Sequence, residues 1–415
     1  MKFKPYRVFL ILEGAGSLLF SMIFAASSIY QVTKAGLTPL QLVLVGTTLE
    51  ASVFLFEVPT GIVADIYSRR LSIIIGYFLI GLGFILEGSI PLFIPILLAQ
   101  LLWGVGYTFT SGATQAWITD EIGETAANQA FLRSNQVSQV TALIGIGAGA
   151  LLGSLRINLP IQLGGVLLLV LGILLILIMP ETGFHPTPRG ERNSWQNMAH
   201  TFRGGMAMLR KRPALIDIMV IGLFFGLYSE GFDRLWTKLI LDNFSFPALF
   251  NFQPVVWLSL MRGLGMVLSI AGAEIAARRV NTSSHPGVAR ALMALTIVLI
   301  AGLACFALAP NLAWVVLAYW AIYVARNVIG PLYTAWTNQS LDSQVRATVL
   351  SMSSQVDAIG QIIGGPWVGL IGNFLSVQAA IVTSALTLTP ILPLFVHTSR
   401  REASQPVSNQ PPEDA

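Results

Sequence analysis

Glu13, Glu50, Arg262 and Arg326 each interrupt a stretch built otherwise of Leu, Ile, Val, Phe, Ala and Gly. A charge at the centre of an apolar helix in lipid costs at least about 2.5–3.5 kcal/mol, so each of the four needs a reason. A carboxyl group in such a place can take up and release a proton, because desolvation disfavours its charged form. A guanidinium there can hold an anionic group or pair with an acid of its own chain. Glu13 and Glu50 are therefore candidates for carrying protons, with structural pairing to Arg262 or Arg326 as the alternative. His185, His200, His285 and His397 all fall in or beside loops, which leaves carboxylates as the good intramembrane proton carriers. No histidine–cysteine spacing suggests a metal, and the single Cys305 permits no internal disulfide.

The elements that must position these residues are helices. The 415-residue chain is 54% hydrophobic and only 11% charged, less than half the charge of a soluble domain. Its apolar runs are continuous and helix-length, without the alternation of barrel strands. Twelve spans of about 20 or more residues would use roughly 240–300 of them. The fold class expected is thus all-α and integral to the membrane. The basic start, Lys2, Lys4 and Arg7, leads into an apolar run too long for a signal-peptide core, so it reads as an uncleaved first span. With the N-terminus inside, most Lys and Arg fall on the cytoplasmic side, which places both termini in the cytoplasm. That bias accounts for the net charge of +4 without nucleic acid. No obligate protein partner is evident.

The longest polar interval divides the chain. Residues 1–180 form one six-helix half, 181–212 a linker, 213–400 a second half, and 401–415 a disordered cytoplasmic tail. Within the linker, Trp195, Met198, Ala199, Phe202, Met206 and Leu209 follow helical spacing, which suggests an amphipathic helix on the inner leaflet. The halves repeat each other. A shift of 219 lays Ala116 and Trp117 on Ala335 and Trp336, and Ser134, Gly145 and Gly153 on Ser353, Gly364 and Gly372. A shift of 209 lays Asp65, Arg69 and Arg70 on Glu274, Arg278 and Arg279. Parallel repeats of this kind suit rocking about a midplane site.

Gly61 to Arg70 packs an acid and two bases between two apolar runs. It resembles the loop after the second helix of the major facilitator superfamily (MFS), G-x-L-a-D-r-x-G-r-k. Gly61, Ala64, Asp65, Arg69 and Arg70 match, whereas Ile66 replaces a base and Ser68 a glycine. Within the superfamily the chain is most similar to twelve-span drug efflux proteins of the tetracycline and macrolide type. That resemblance implies the MFS fold and a secondary active transporter in the cell membrane, working by alternating access. Its partners would be a small-molecule substrate, protons and lipid, with no cofactor and no enzymatic step. The absence of a P-loop argues against ATP as the driver. Proton-linked uptake or exchange of a small polar or anionic solute is the alternative, favoured by Arg262 and Arg326. A ligand sensor that transports nothing is the second.

The resemblance also distributes roles. In the family the first, fourth, seventh and tenth helices line the cavity, which would bring Glu13 and Arg326 there from opposite halves. The matched Asp65 and Glu274 segments would be gate components, Asp65 meeting the positive end of the eleventh helix. Glu57, ahead of Pro59, would join the same gate network. Glu230, Asp233 and Arg234 cluster toward the outer end of the seventh span. Glu230 and Arg234 have the i,i+4 spacing of an ion pair, an outer gate or a structural bond. Gln100 is a cavity candidate, as are Trp103, Tyr107, Trp320 and Tyr323, whose rings suit lipophilic substrates, with interfacial belting as their alternative. Gln100 stands where many proton-driven exporters carry arginine. Gly145, Gly149 and Gly153 resemble the fifth-helix antiporter motif, with Ala150 in place of its proline, and they equally suit close helix packing. Gly364 and Pro366 form a second such pattern. Asp120 and Glu121 read as a charge pair contacting loops.

Overall fold

A computed structural model describes residues 4–186, 213–248, 251–282, 284–339 and 343–403. The amphipathic helix expected within 181–212 and the tail after 403 lie outside these residues, apart from 181–186. All regular structure described is helical. The first half comprises α1 (Pro5–Phe24), α2 (Ser27–Thr33), α3 (Pro39–Ile66), α4 (Arg69–Ser89), α5 (Phe93–Thr110), α6 (Ala113–Ile122), α7 (Glu124–Leu155) and α8 (Leu159–Ile178). The second comprises α9 (Pro213–Asn243), α10 (Pro254–Arg279), α11 (His285–Ala307), α12 (Leu312–Gln339), α13 (Ser343–Phe374), α14 (Val377–Thr387) and α15 (Ile391–Ala403).

Eleven described segments are long and apolar enough to cross a membrane, with α1–α2, α5–α6 and α14–α15 each acting as one. The twelfth long helix, α13, is interrupted by Ser351, Ser353, Ser354, Gln355, Asp357 and Gln361 and is not among the eleven. The helices pack as two compact units. One contains α1–α8 with Glu230–Leu264 and Gly365–Ala380; the other contains the remainder of α9–α15.

Local sequence explains the helix ends. At the start of α3, Thr38 Oγ1 accepts from the Gln41 amide at 3.3 Å and Gln41 Oε1 from the Thr38 amide at 3.0 Å, a reciprocal cap followed by Pro39. Gly112, at φ +69°, breaks the fourth span into α5 and α6. The repeat puts Pro331 at the matching position (331 − 219 = 112), inside an unbroken α12. The repeat is visible in element lengths as well. Helices α7 and α13 each have 32 residues, and both their ends lie 219 apart. The matched Trp117 and Trp336 are both fully buried.

Close packing uses the glycines. A methyl group on Gly145 would lie 2.2 Å from Leu18 O, and one on Gly149 would lie 2.5 Å from Met22 O, so α7 and α1 touch backbone to backbone. On Gly364 it would meet Leu227 O at 2.3 Å, repeating the contact between α13 and α9. The packing role of this pattern is therefore present in both halves, whatever else the motif does.

Candidate functional site: a buried charge cluster

The unit containing α1–α8 encloses a group of ionisable side chains at the end of its helices where α2 leads into α3. Glu230, nearly fully buried, accepts from Arg234 Nε at 3.2 Å across one turn of α9. The pair rests against Gly46 of α3, where an added methyl would fall 1.8 Å from Glu230 Oε2 and 2.3 Å from Arg234 Nε. Arg234 also acts electrostatically on Asp233 and on Glu50, one turn beyond Gly46 on α3. Its charge reaches a further carboxylate, Glu87 of α4.

Glu87 has no exposed surface. Its Oε1 accepts from Ser27 Oγ at 2.5 Å and from Gln31 Nε2 at 2.8 Å, both on α2. Its Oε2 accepts from Gln100 Nε2 of α5 at 3.1 Å. The break between α1 and α2 turns Ser27 and Gln31 toward α4, and Arg262 of α10 donates to the freed Phe24 carbonyl beside that break. Thr237 of α9 bonds Ser28 at 3.1 Å, which ties α9 to the same short helix.

These contacts redistribute the residues singled out by sequence. Glu50 is a partner of Arg234, and Arg262 is bonded to a backbone carbonyl. Glu13 is half-buried on α1, within electrostatic reach of Tyr77 on α4. Trp103 packs its ring on Phe24 and Phe84, at 5.2 and 5.3 Å between centroids, so it belongs to an aromatic cluster at the broken first span. Tyr107 is exposed one turn further along α5. In the other unit, Trp320 and Tyr323 of α12 lie against Gly265 of α10, and the Arg326 guanidinium sits 5.7 Å from the centre of the Tyr228 ring.

Sequence reasoning passed over Glu87 because it stands three residues from the end of its span, followed by Gly88 and Ser89, where an acid reads as interfacial. The signal was in its partners. Ser27 and Gln31 form an i,i+4 polar pair in one apolar run, and Gln100 is a lone amide in another.

The Gly61–Arg70 segment is more helical than its loop-like reading. Helix α3 runs to Ile66 and α4 starts at Arg69, which leaves Tyr67 and Ser68 between them. Two arginines at a helix N-terminus oppose the helix dipole; an acid answers the Arg69 guanidinium, and that of Arg70 donates to Ile176 O. Arg69 pairs with Asp120 at the end of α6 and lies 5.9 Å from the Phe184 ring centre. Glu181 accepts from the Arg70 amide at 2.9 Å and from Ser68 Oγ at 2.6 Å, capping α4. Glu121 accepts from the Thr182 and Gly183 amides, and Trp117 Nε1 donates to Pro180 O at 2.7 Å. Glu121 thus binds the chain leaving α8, and Asp120 binds the start of α4. The second-half counterpart is built differently. Helix α10 continues through Glu274, which pairs with Arg278 inside that helix at 2.6 Å. Asp65 and Glu57 are exposed near the end of α3.

The family model of the Major Facilitator Superfamily matches residues 9–365. The chain therefore belongs to that superfamily: it is a multi-pass membrane transporter, not an enzyme. It is 23% identical over 361 residues to the uncharacterized MFS-type transporter YxaM of Bacillus subtilis (strain 168), covering 86% of this chain and 87% of that one. Among solved structures, the nucleoside transporter NupG superposes with a TM-score of 0.74 at 14% identity, covering 95% of this chain and 99% of that one. A POT family transporter in complex with a thioalcohol-conjugated peptide gives 0.72 at 13% identity, covering 95% and 96%. At these identities the structures share the fold.

Proposed function

We propose that the protein is a proton-coupled secondary transporter that exports lipophilic, drug-like compounds from the cell by alternating access. The observation that carries the coupling is a surplus of acid around Arg234: buried Glu87 and Glu230, half-buried Glu50 and exposed Asp233 all fall within its electrostatic reach. Buried carboxyl groups such as Glu87 and Glu230, sharing one guanidinium, are placed to exchange protons as their surroundings change. Lipophilic cargo is supported by the half-buried rings of Phe24 on α1, Trp103 on α5 and Tyr323 on α12, which offer π-faces and apolar area. The assignment of 1–180, 181–212 and 213–400 as two rocking halves and their linker belongs to this reading, as do a cell-membrane location and cytoplasmic termini.

The second reading, uptake or exchange of a small polar solute, is favoured by Arg326 over Tyr228, a cation beside an aromatic face. Reconstitution in liposomes under a pH gradient separates the two. Ethidium serves as a lipophilic cation, and uridine and dialanine as polar solutes. Ethidium-dependent proton movement supports export. Proton movement that accompanies only uridine or dialanine overturns it in favour of uptake, and binding without flux of any probe overturns both in favour of a sensor.

A further inference from the structure

We propose that Glu87 is a proton-carrying residue of this transporter, and that Gln100 turns its side-chain amide to accept the proton when Glu87 holds one. The inference rests on the proton-coupled reading above and names the residue through which it works.

In the arrangement seen, the pocket suits an ionised carboxylate. Three donors reach it: Ser27 Oγ and Gln31 Nε2 on Oε1, and Gln100 Nε2 on Oε2. One feature does not suit that state. Gln100 Oε1 and Tyr30 Oη are both buried without a hydrogen-bond partner, although Gln100 and Tyr30 are each only 2% exposed. Buried polar atoms rarely go unmatched, and an orphan acceptor beside a carboxylate needs a donor. A side-chain amide presents oxygen and NH₂ in nearly the same shape. A half-turn of the Gln100 amide therefore brings Oε1 to the place Nε2 now holds, facing Glu87 Oε2. Two bare acceptors cannot share that contact, but a protonated carboxyl can donate across it. Proton uptake from a hydronium ion forms one O–H bond at Oε2 while the hydronium O–H bond breaks to leave water, and an N–H···O contact is exchanged for an O–H···O contact. The Glu87–Gln100 contact thus has two matched forms that differ by one proton and one amide rotation.

The surroundings connect this step to the rest of the cluster. Tyr30 faces Glu87 from α2, and Arg234 from α9, with Glu230 and Asp233 behind it and Glu50 on α3. Helix α8, packed along α4, carries no ionisable residue, and α5 carries only the exposed Tyr107. On α6 the acids Asp120 and Glu121 engage Arg69 and Thr182 at the opposite end of α4, and Glu13 on α1 acts on Tyr77. Arg234 is accordingly the charge that Glu87 shares with Glu230, and neutralising Glu87 leaves Arg234 to the acids of α9 and α3. A cavity of about 600 Å³ adjoins the pocket, lined by Ile29, Thr33, Lys34, Arg156 and Asn158. Asn158 Nδ2 donates to Gly88 O at 3.1 Å, next in sequence to Glu87, so one residue of the cavity lining is bonded to the backbone beside the site.

Infrared difference spectra between acidic and alkaline buffer test the proposal on the full chain in liposomes without any substrate. A protonated carboxyl gives a distinct carbonyl band that shifts in D₂O. That band should be present in the wild type and lost in the near-isosteric Glu87→Gln, while Gln100→Leu should keep it at a shifted frequency. In the flux assay with ethidium, uridine and dialanine, Glu87→Gln should lose coupled proton movement at least tenfold. A Glu87→Gln protein with the wild-type band and wild-type proton flux overturns the role of Glu87 alone. Wild-type protein that moves a probe without any proton flux overturns the coupled reading and this inference with it. Gln100→Leu guards against misfolding: an unshifted band in that variant overturns the amide rotation even if Glu87→Gln cannot be purified.

Discussion

Replacing Gly46 by alanine puts a methyl group where the Glu230–Arg234 pair now sits. The new Cβ would stand 1.8 Å from Glu230 Oε2, 2.3 Å from Arg234 Nε and 2.8 Å from Arg234 Cζ. Ordinary contact begins near 3.4 Å, so the carboxylate must retreat by well over an ångström, enough to break a 3.2 Å ion pair. Overpacking alone costs about 1–3 kcal/mol. Separating a buried pair adds to it, since removing one partner of such a pair costs about 3–5 kcal/mol. Arg234 keeps 20% of its side chain exposed, so water offsets most of that second cost, and the expected destabilisation of Gly46→Ala is about 2–4 kcal/mol. The test is a double-mutant cycle with Glu230→Ala, read by reversible unfolding of bilayer-reconstituted protein. Deleting the carboxylate makes room for the methyl, so the double variant should be more stable than the sum of the single effects by at least about 1 kcal/mol. Additivity within about 0.5 kcal/mol would show that Gly46 does not seat this pair.

Three further outcomes follow from particular contacts. Gly149→Leu drives a side chain into the α1 backbone at Met22 O, and folded yield on size-exclusion chromatography should fall sharply, whereas Gly147→Leu, with open space at its Cβ, should be tolerated. Breaking the partly buried Arg69–Asp120 pair by Asp120→Asn should cost about 1–3 kcal/mol, and the exchanged pair Arg69→Asp with Asp120→Arg should restore part of it in the same unfolding assay. Glu181→Gln removes the anionic cap of α4 and should cost about 0.5–2 kcal/mol, with faster amide hydrogen exchange confined to the first turn of α4 as its signature.

The span pattern was legible because hydrocarbon imposes length and apolarity on every crossing helix. The repeat was legible at α7 and α13 because small residues at helix contacts leave a fixed spacing, and both helices keep it from end to end. The charge cluster was only half legible. Glu230 and Arg234 share one helix, so their pairing follows from i,i+4 spacing alone. Glu87 meets Ser27, Gln31 and Gln100 across 60, 56 and 13 residues of chain, and no local pattern announces contacts of that separation. Arg262 misled for a related reason. An arginine inside an apolar run asks for an acid, but a broken helix offers a carbonyl instead, and the break at Ala25 and Ala26 carries no glycine or proline to mark it.

The way the cluster is built bears on why its acids tolerate lipid depth. Each intramembrane charge would cost about 2.5–3.5 kcal/mol if left to itself, yet none here is left so. Glu230 has Arg234 at hydrogen-bond distance, and Glu87 has three neutral donors and only a distant share of the same guanidinium. The two carboxylates are therefore stabilised by different means. A direct ion pair holds its charge tightly, because separating it leaves two uncompensated ions. Neutral hydroxyl and amide donors are reversible partners, since each can rotate and accept instead of donate. Of the two, Glu87 has the surroundings that can follow a change of protonation without breaking an ion pair, and Glu230 has those that hold α9 against α3. On the proton-coupled reading proposed above, that division of labour would give the proton to α4 and the mechanical bond to α9, with Arg234 as the link between them.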